Sequence, residues 1–258
     1  MSTPATPQQG DIVAAGAPAP AYWGGAVATF FYALAAYAVA QVVVVAVAFL
    51  WFYDRVAVTA NPLNDGPLVA LVTLVGNPVQ IALLAAIAHW RAGGSGASAY
   101  LGLTRFSLRD FLIGFVAIAA LMIAVDGTSY LVGIEVVPTF EVDTWTTARA
   151  SGWLWPLLAA VIVVGPAGEE ILFRGFLFRG WVTPDRRGVI AVLFITLIWS
   201  AMHVQYDLFG ITQVFLTGLV LGWMRWRSGS AALTSLLHML VNLVATVETI
   251  LKMGWSAT

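Results

Sequence analysis

The chain contains no cysteine, and only 10% of its 258 residues are charged. The missing thiols exclude disulfide bonds, a cysteine nucleophile, zinc sites built on cysteine and prenylation of the chain itself. A soluble domain carries charge on about a quarter of its residues, so the 12 basic and 13 acidic side chains of this chain cannot cover a water-facing surface. The net charge of −1 argues against nucleic acid as a partner.

What the sequence has in abundance is apolar side chains, which make up 60% of it. A bilayer crossing takes about 20 apolar residues, and the sequence predicts an all-α polytopic membrane protein of about seven transmembrane helices, with the lipid bilayer as a partner. The predicted spans are 24–52, 67–90, 110–133, 153–181, 188–205, 209–226 and 230–252. Residues 1–22, rich in proline, predict a disordered tail, and residues 23–258 predict a single membrane-embedded domain.

The arginines and lysines predict the orientation, because cytoplasmic loops are enriched in them. With seven spans, one side carries Arg91, Arg105, Arg109, Arg179, Arg186, Arg187, Arg225 and Arg227, and the other carries Arg55, Arg149 and Lys252. We therefore predict a multi-pass protein of the cell (cytoplasmic or inner) membrane with a cytoplasmic N-terminus and an external C-terminus.

A few ionisable or strongly polar residues interrupt the predicted spans. They are Asp126, Glu169, Glu170, Arg174, His203, His238, Asn242 and Glu248. Charge inside a bilayer is costly, so each is a candidate for function. Asp126 and Glu248 are interpreted as interfacial or helix-packing residues.

The fourth span contains the run GPAGEEILFRG. Glu170 and Arg174 are four residues apart on one helix face, so they are predicted to form an ion pair that lowers the cost of burying both. Glu169 lies about 100° away around the helix and is left free for chemistry. Pro166 removes a backbone donor and is predicted to free the carbonyl of Ile162.

Two later spans carry polar pairs at helical spacing. Trp199 lies one turn before His203, and His238 one turn before Asn242. Packing or interfacial roles remain open for both pairs. A carboxylate and an imidazole on different helices can nevertheless take a proton from water and return it to a leaving amine, while a second histidine and an amide can stabilise an oxyanion.

In combination, these motifs resemble one known family. Their order is Glu169-Glu170-x-x-x-Arg174, an aromatic residue one turn before His203, and then His238-x-x-x-Asn242. They resemble the CPBP (Abi) family of intramembrane endopeptidases, which includes the type II CAAX prenyl proteases, over about residues 150–245. The family usually has phenylalanine where this chain has Trp199. The resemblance implies that Glu170 and Arg174 form a structural pair.

The resemblance also implies an activity and its residues. Glu169 and His203 would activate a water molecule, and His238 and Asn242 would hold the oxyanion. The expected substrate is a membrane-associated or lipidated protein or peptide. The alternatives are a non-catalytic chaperone or regulator of the same fold and a proton-coupled transporter, although no inverted repeat supports the latter.

We expect no cofactor, with zinc as the alternative that is not favoured. The HExxH motif of zinc proteases is absent. Two histidines and a glutamate would have to converge on zinc from three separate helices, with no two ligands on one helix.

Overall fold

The computed structural model describes residues 25–53, 61–92, 96–181 and 187–254, which contain helices and no strands. The longer helices, some with π-helical turns, are α1 Gly25–Phe52, α2 Gly66–Arg91, α3 Leu108–Val132, α4 Thr139–Ala150, α5 Leu154–Trp181, α6 Arg187–Ala201, α7 Leu208–Ser228 and α8 Ala231–Met253. The predicted disordered tail, residues 1–22, lies outside the described residues, as do Arg55 and Arg186.

Six of these helices are long and apolar enough to cross a membrane, namely α1, α2, α3, α5, α7 and α8. The fold class is therefore a polytopic all-α membrane protein, as the composition predicts. A single large apolar cluster joins helices from both halves of the chain, with Ala36 of α1, Leu84 of α2 and Leu237 of α8 among its buried members.

The span predicted over 188–205 is too long, because α6 ends at Ala201. In a continued helix the amide of His203 would donate to the Trp199 carbonyl. Here the His203 ring Nδ1 lies 2.9 Å from that carbonyl oxygen, and the His203 amide donates to Ser200 instead. At 1.5 Å per residue α6 is about 22 Å long, shorter than the ~30 Å hydrocarbon layer, so its terminal turn can lie at membrane depth.

Helix α4 is an element that the sequence did not predict, since residues 134–152 read as a loop with scattered acidic residues. Its buried face consists of Thr144, Trp145 and Ala148, at helical spacing. A helix of 12 residues with one apolar stripe is too short and too polar to be recognised as a span.

Hydrogen bonds identify which connections share an end of the bundle. At one end, Asn64 before α2 donates to Asp143 of α4, and Lys252 of α8 binds Glu135. At the opposite end, the amide of Ala231 donates to the carbonyl of Gly102. Because Tyr206 in the turn after α6 also donates to Glu141 of α4, that turn lies at the same end as α4 and the C-terminus of α8.

Helices α6 and α7 pack closely at two glycines, as the Gly218-x-x-x-Gly222 spacing predicts. A Cβ on Gly218 would come within 2.8 Å of the Trp199 ring, and one on Gly222 within 2.7 Å of Val192. The missing side chains thus let α7 press against the face of α6 that carries Trp199.

Helix α5 is irregular on both sides of its acidic motif, with π-helical turns at Ala160–Val164 and Ile171–Leu177. Pro166 was predicted to free the carbonyl of Ile162. It is the Val161 carbonyl that finds a partner outside the helix, since it accepts from Asn242 Nδ2 at 2.7 Å. In a π-helix the carbonyl of each residue accepts from the amide of the residue five positions later. For Val161 that residue is Pro166, which has no N–H to donate.

Candidate active site

A cavity of about 340 Å³ is lined by six of the eight polar residues that the sequence singled out, the exceptions being Glu170 and Arg174. Its lining includes Glu169, His203, His238 and Asn242, contributed by α5, the turn after α6, and α8. Asp126 and Glu248, for which we predicted interfacial or packing roles, line the same cavity. The fold thus brings these side chains from separate helices to one cavity.

Glu169 is held by an indole rather than by a cation. Trp199 Nε1 donates to Oε2 of Glu169 at 2.7 Å, and the Trp199 ring lies 5.0 Å from the ring of His203. The carbonyl of Trp199 can only accept, so the neutral His203 ring carries its proton on Nδ1 and leaves Nε2 unprotonated. Trp199 thereby orients both a carboxylate and an imidazole that can accept protons.

Glu170 is fully buried and forms the ion pair predicted from its spacing with Arg174, at 3.0 Å. The same oxygen, Oε1, lies 3.2 Å from Nδ1 of His238 on α8. Arg174 also donates to the Gly218 carbonyl, and its guanidinium lies 4.4 Å from the centre of the Trp199 ring. Glu170 thus joins α5 to α8, a contact to His238 that the sequence did not predict.

Asn242 has one amide N–H occupied by the Val161 carbonyl. Its Nδ2 carries two hydrogens, so the second remains for another acceptor. The α5 irregularity caused by Pro166 therefore fixes the orientation of the Asn242 side chain at the cavity wall.

Helix α4 and the turn after α6 close one side of the cavity through a contact between Tyr206 and Glu141. The Tyr206 hydroxyl donates to Oε1 of Glu141 at 2.6 Å, and the Tyr206 ring stacks on His203 with an interplanar angle of 9°. Burial, with the neighbouring charge of Glu141, raises the pKa of Tyr206 well above 10, so the phenol stays a hydrogen-bond donor. Burial also raises the pKa of Glu141, against the lowering effect of the Tyr206 hydrogen bond.

These two residues were missed from the sequence. Glu141 lies between the predicted spans 110–133 and 153–181, and Tyr206 follows His203 by three positions without a recognisable motif. The available signal was the amphipathic spacing of Thr144, Trp145 and Ala148, which could have predicted a helix over the cavity.

The described residues contain no group of three histidine, aspartate or glutamate side chains arranged to hold a metal ion. Glu169, His203 and His238 are the nearest candidates. Both histidines direct Nδ1 to protein acceptors, so only their Nε2 atoms would remain as ligands.

Comparisons with known proteins agree with the motifs. Residues 151–244 match the family described as Type II CAAX prenyl endopeptidase Rce1-like, which confirms the resemblance for this segment. The chain is also similar to an uncharacterized 24.3 kDa protein of Escherichia coli, with 35% identity over 89 residues. That match covers 32% of this chain and 39% of the relative, so the chain spans well under half of that protein's length. No solved structure matches the chain significantly.

Proposed function

We propose that this chain, whose residues 151–244 match the Rce1-like endopeptidase family, is an intramembrane endopeptidase that hydrolyses membrane-associated or lipidated proteins or peptides. The observation that carries the proposal is the single cavity lined by Glu169, His203, His238 and Asn242 among apolar helices. A cavity of this size has room for water beside proton-accepting groups inside a low-dielectric wall, which hydrolysis within a membrane requires.

In the proposed reaction, Glu169 acts as the general base. One carboxylate oxygen accepts from Trp199, and the other is available to take a proton from water. Nε2 of His203 orients the same water. The water oxygen attacks the peptide carbonyl carbon, and the proton held by Glu169 passes to the amine as the carbon–nitrogen bond breaks.

His238 and Asn242 are proposed to stabilise the oxyanion of the tetrahedral intermediate. Asn242 can donate its second amide hydrogen. His238 directs Nδ1 to Glu170, a carboxylate that is paired with Arg174 and therefore accepts. With Nδ1 directed to this carboxylate, Nε2 of His238 can donate only when the ring is an imidazolium. Glu170 and Arg174 are thus proposed as the structural pair of the site.

We expect Trp199→Phe to lower kcat/KM by about tenfold, because it removes a hydrogen bond to a charged group. Phenylalanine keeps an aromatic ring between α6 and α7, so the thermal midpoint should change little. The measurement is cleavage kinetics beside a thermal unfolding curve. A variant as active as the wild type would show that the indole does not orient Glu169.

The experiment that tests the function is comparative proteomics of membrane proteins from cells that express the wild type or Glu169→Ala. Proteins that accumulate uncleaved only with Glu169→Ala are the substrates. If no protein differs between the two, and purified enzyme cleaves nothing, the chain is a chaperone or regulator of the same fold.

One observation favours the transporter alternative. Asp126, Glu141 and Glu248 line the same cavity as Glu169, so four carboxylates could in principle relay protons. Transport of that kind would acidify or alkalinise the lumen of proteoliposomes. We expect no such pH change on addition of candidate substrates.

For the orientation, we predict that the arginine-rich ends of the helices face the cytoplasm. A periplasm-active reporter fused after Thr258 should therefore be active in a bacterial host. Activity of a cytoplasm-only reporter at that position, with no activity of the periplasmic one, would reverse the proposed orientation.

We further propose catalysis without a resident metal, with Glu169 as base. Exhaustive chelation of purified enzyme should leave its activity unchanged, and elemental analysis should find zinc well below one atom per chain. Stoichiometric zinc, with activity lost on its removal and regained on its return, would contradict this prediction.

A further inference from the structure

A second cavity, of about 210 Å³, adjoins the first at the catalytic groups. Five lining residues are common to both cavities: Thr73, Glu169, Trp199, His203 and Gln205. The rest of the second cavity comes mainly from α1 and α2, including Tyr37, Gln41 and Asn77, which lie outside the segment that matches a family. Glu169 and His203 therefore lie between two chambers and not at the blind end of one.

The second cavity is lined by amides in the middle of transmembrane helices. Gln80 donates to the Gly168 carbonyl at 3.4 Å. Gln41 and Asn77 make no side-chain hydrogen bond to any residue that the structure describes. Polar side chains at membrane depth are costly, and the amides of Gln41 and Asn77 each have a donor and an acceptor without a partner among the described residues.

Close helix packing brings these amides to Glu169. A Cβ on Gly168, the residue before Glu169, would clash with the Asn77 side chain. A Cβ on Gly76 would lie 3.1 Å from Val44 of α1, one turn from Gln41. The π-helical turn Val72–Gly76 ends immediately before Asn77. The two glycines let α1, α2 and α5 converge on the second cavity.

The second cavity also borders the surface of the helix bundle. Tyr37 of α1 and Met202 after α6 line it and are 36% and 44% exposed. Among the described residues that line it, the only charged or titratable groups are Glu169, His203 and the Tyr37 phenol. A chain segment that entered from lipid would meet neutral amides before it reached Glu169.

We propose that the second cavity binds the extended backbone of the substrate on one side of the bond to be cut, while the first cavity binds the other side. This inference rests on the proposed endopeptidase function. A peptide bond must leave its helix before water can attack it, and unpaired backbone groups cost several kcal/mol in lipid. The side chains of Gln41 and Asn77 supply the donors and acceptors that such a segment lacks.

The test is Gln41→Leu, which removes the amide but keeps an apolar side chain suited to a transmembrane helix. Gln213→Leu is the matched control, because it makes the same change in the first cavity. The probe is a library of peptides from a tryptic digest of bacterial membranes, with cleavage sites read by mass spectrometry. Kinetics are then measured on one peptide that the wild type cleaves.

We expect Gln41→Leu to raise KM about tenfold with little change in kcat, as the loss of a hydrogen bond to substrate would do. Gln41→Leu should change which amino acids the enzyme prefers on one side of the cleaved bond. Gln213→Leu should change the preference on the opposite side. Asn77→Ala has a smaller side chain that cannot clash with Gly168. It should change KM and residue preference as Gln41→Leu does. An equal fall in kcat for every peptide, with unchanged preference, would mean that the second cavity only supplies water and would overturn the proposal.

A binding measurement separates this inference from the proposed function. A photoreactive benzoyl-phenylalanine in place of Tyr37, in a Glu169→Gln background, should crosslink to peptides of the same library. If the wild type cleaves peptides but position 37 captures none and preference is unaffected by Gln41→Leu, the second cavity is not a substrate site. If position 37 captures peptides and the wild type cleaves none of the library, the endopeptidase proposal fails while the binding site stands.

Discussion

Glu169→Gln should abolish peptide cleavage while the protein remains folded. Glutamine keeps the size of the side chain and an oxygen that can accept from Trp199 Nε1, so the 2.7 Å contact is retained. The amide cannot take a proton from water, and loss of a general base lowers rates by about 10²–10⁴-fold. The measurement is kcat on a peptide that the wild type cleaves, with thermal unfolding in detergent beside it.

The matched control is Glu135→Gln. Glu135 is exposed outside the transmembrane helices, and its salt bridge to Lys252 lowers its pKa by hydrogen bonding and charge. It takes no part in the cavity, so its loss should leave cleavage unchanged. If Glu169→Gln kept near-normal kcat, another residue would be the base and the proposed mechanism would be wrong.

Glu170→Gln should instead destabilise the protein, by about 3–5 kcal/mol, because it leaves a buried guanidinium without its counter-charge. Arg174 is 1% exposed and Glu170 is fully buried, so water cannot replace the lost partner. His238 loses the same carboxylate. The free energy of unfolding, measured by denaturant titration in detergent micelles, checks the expected loss.

A double variant distinguishes a lost ion pair from a general packing defect. Glu170→Gln with Arg174→Met removes both charges, and the replacement of a buried pair by neutral groups often restores stability. We expect the double variant to recover part of the loss, since Arg174 also donates to the Gly218 carbonyl. A double variant less stable than Glu170→Gln alone would show that Arg174 stabilises the fold independently of Glu170.

Local geometry accounts for what could be read from the sequence. The Glu170–Arg174 pair follows from a spacing of four residues on one helix, and close packing of another helix on α7 follows from two glycines one turn apart. Glu169, His203, His238 and Asn242 were singled out because few polar side chains interrupt the apolar helices. None of these predictions needed to know which helices are neighbours.

The features that were missed or wrong depend on contacts between distant segments. Helix α4 covers the cavity because its stripe packs against other helices, which its own composition does not reveal. At the end of helix α6 the Trp199 carbonyl contacts the His203 ring and the Met202 amide, and the His203 amide donates to Ser200 instead. The Asn242 amide donates to the carbonyl of Val161 rather than to that of Ile162, because a π-helical turn changes the hydrogen-bond register of α5.

The sequence by itself determined the membrane-embedded, all-α class of this protein and the residues that carry its polar chemistry, because the cost of charge in lipid leaves few positions for such side chains. Only the tertiary structure decided that Trp199 holds Glu169, that Glu170 binds His238, and that amides of α1 and α2 line a second cavity beside them. These contacts join residues 30 or more positions apart. Their distances depend on how the helices pack, which the periodicity of a single helix does not encode.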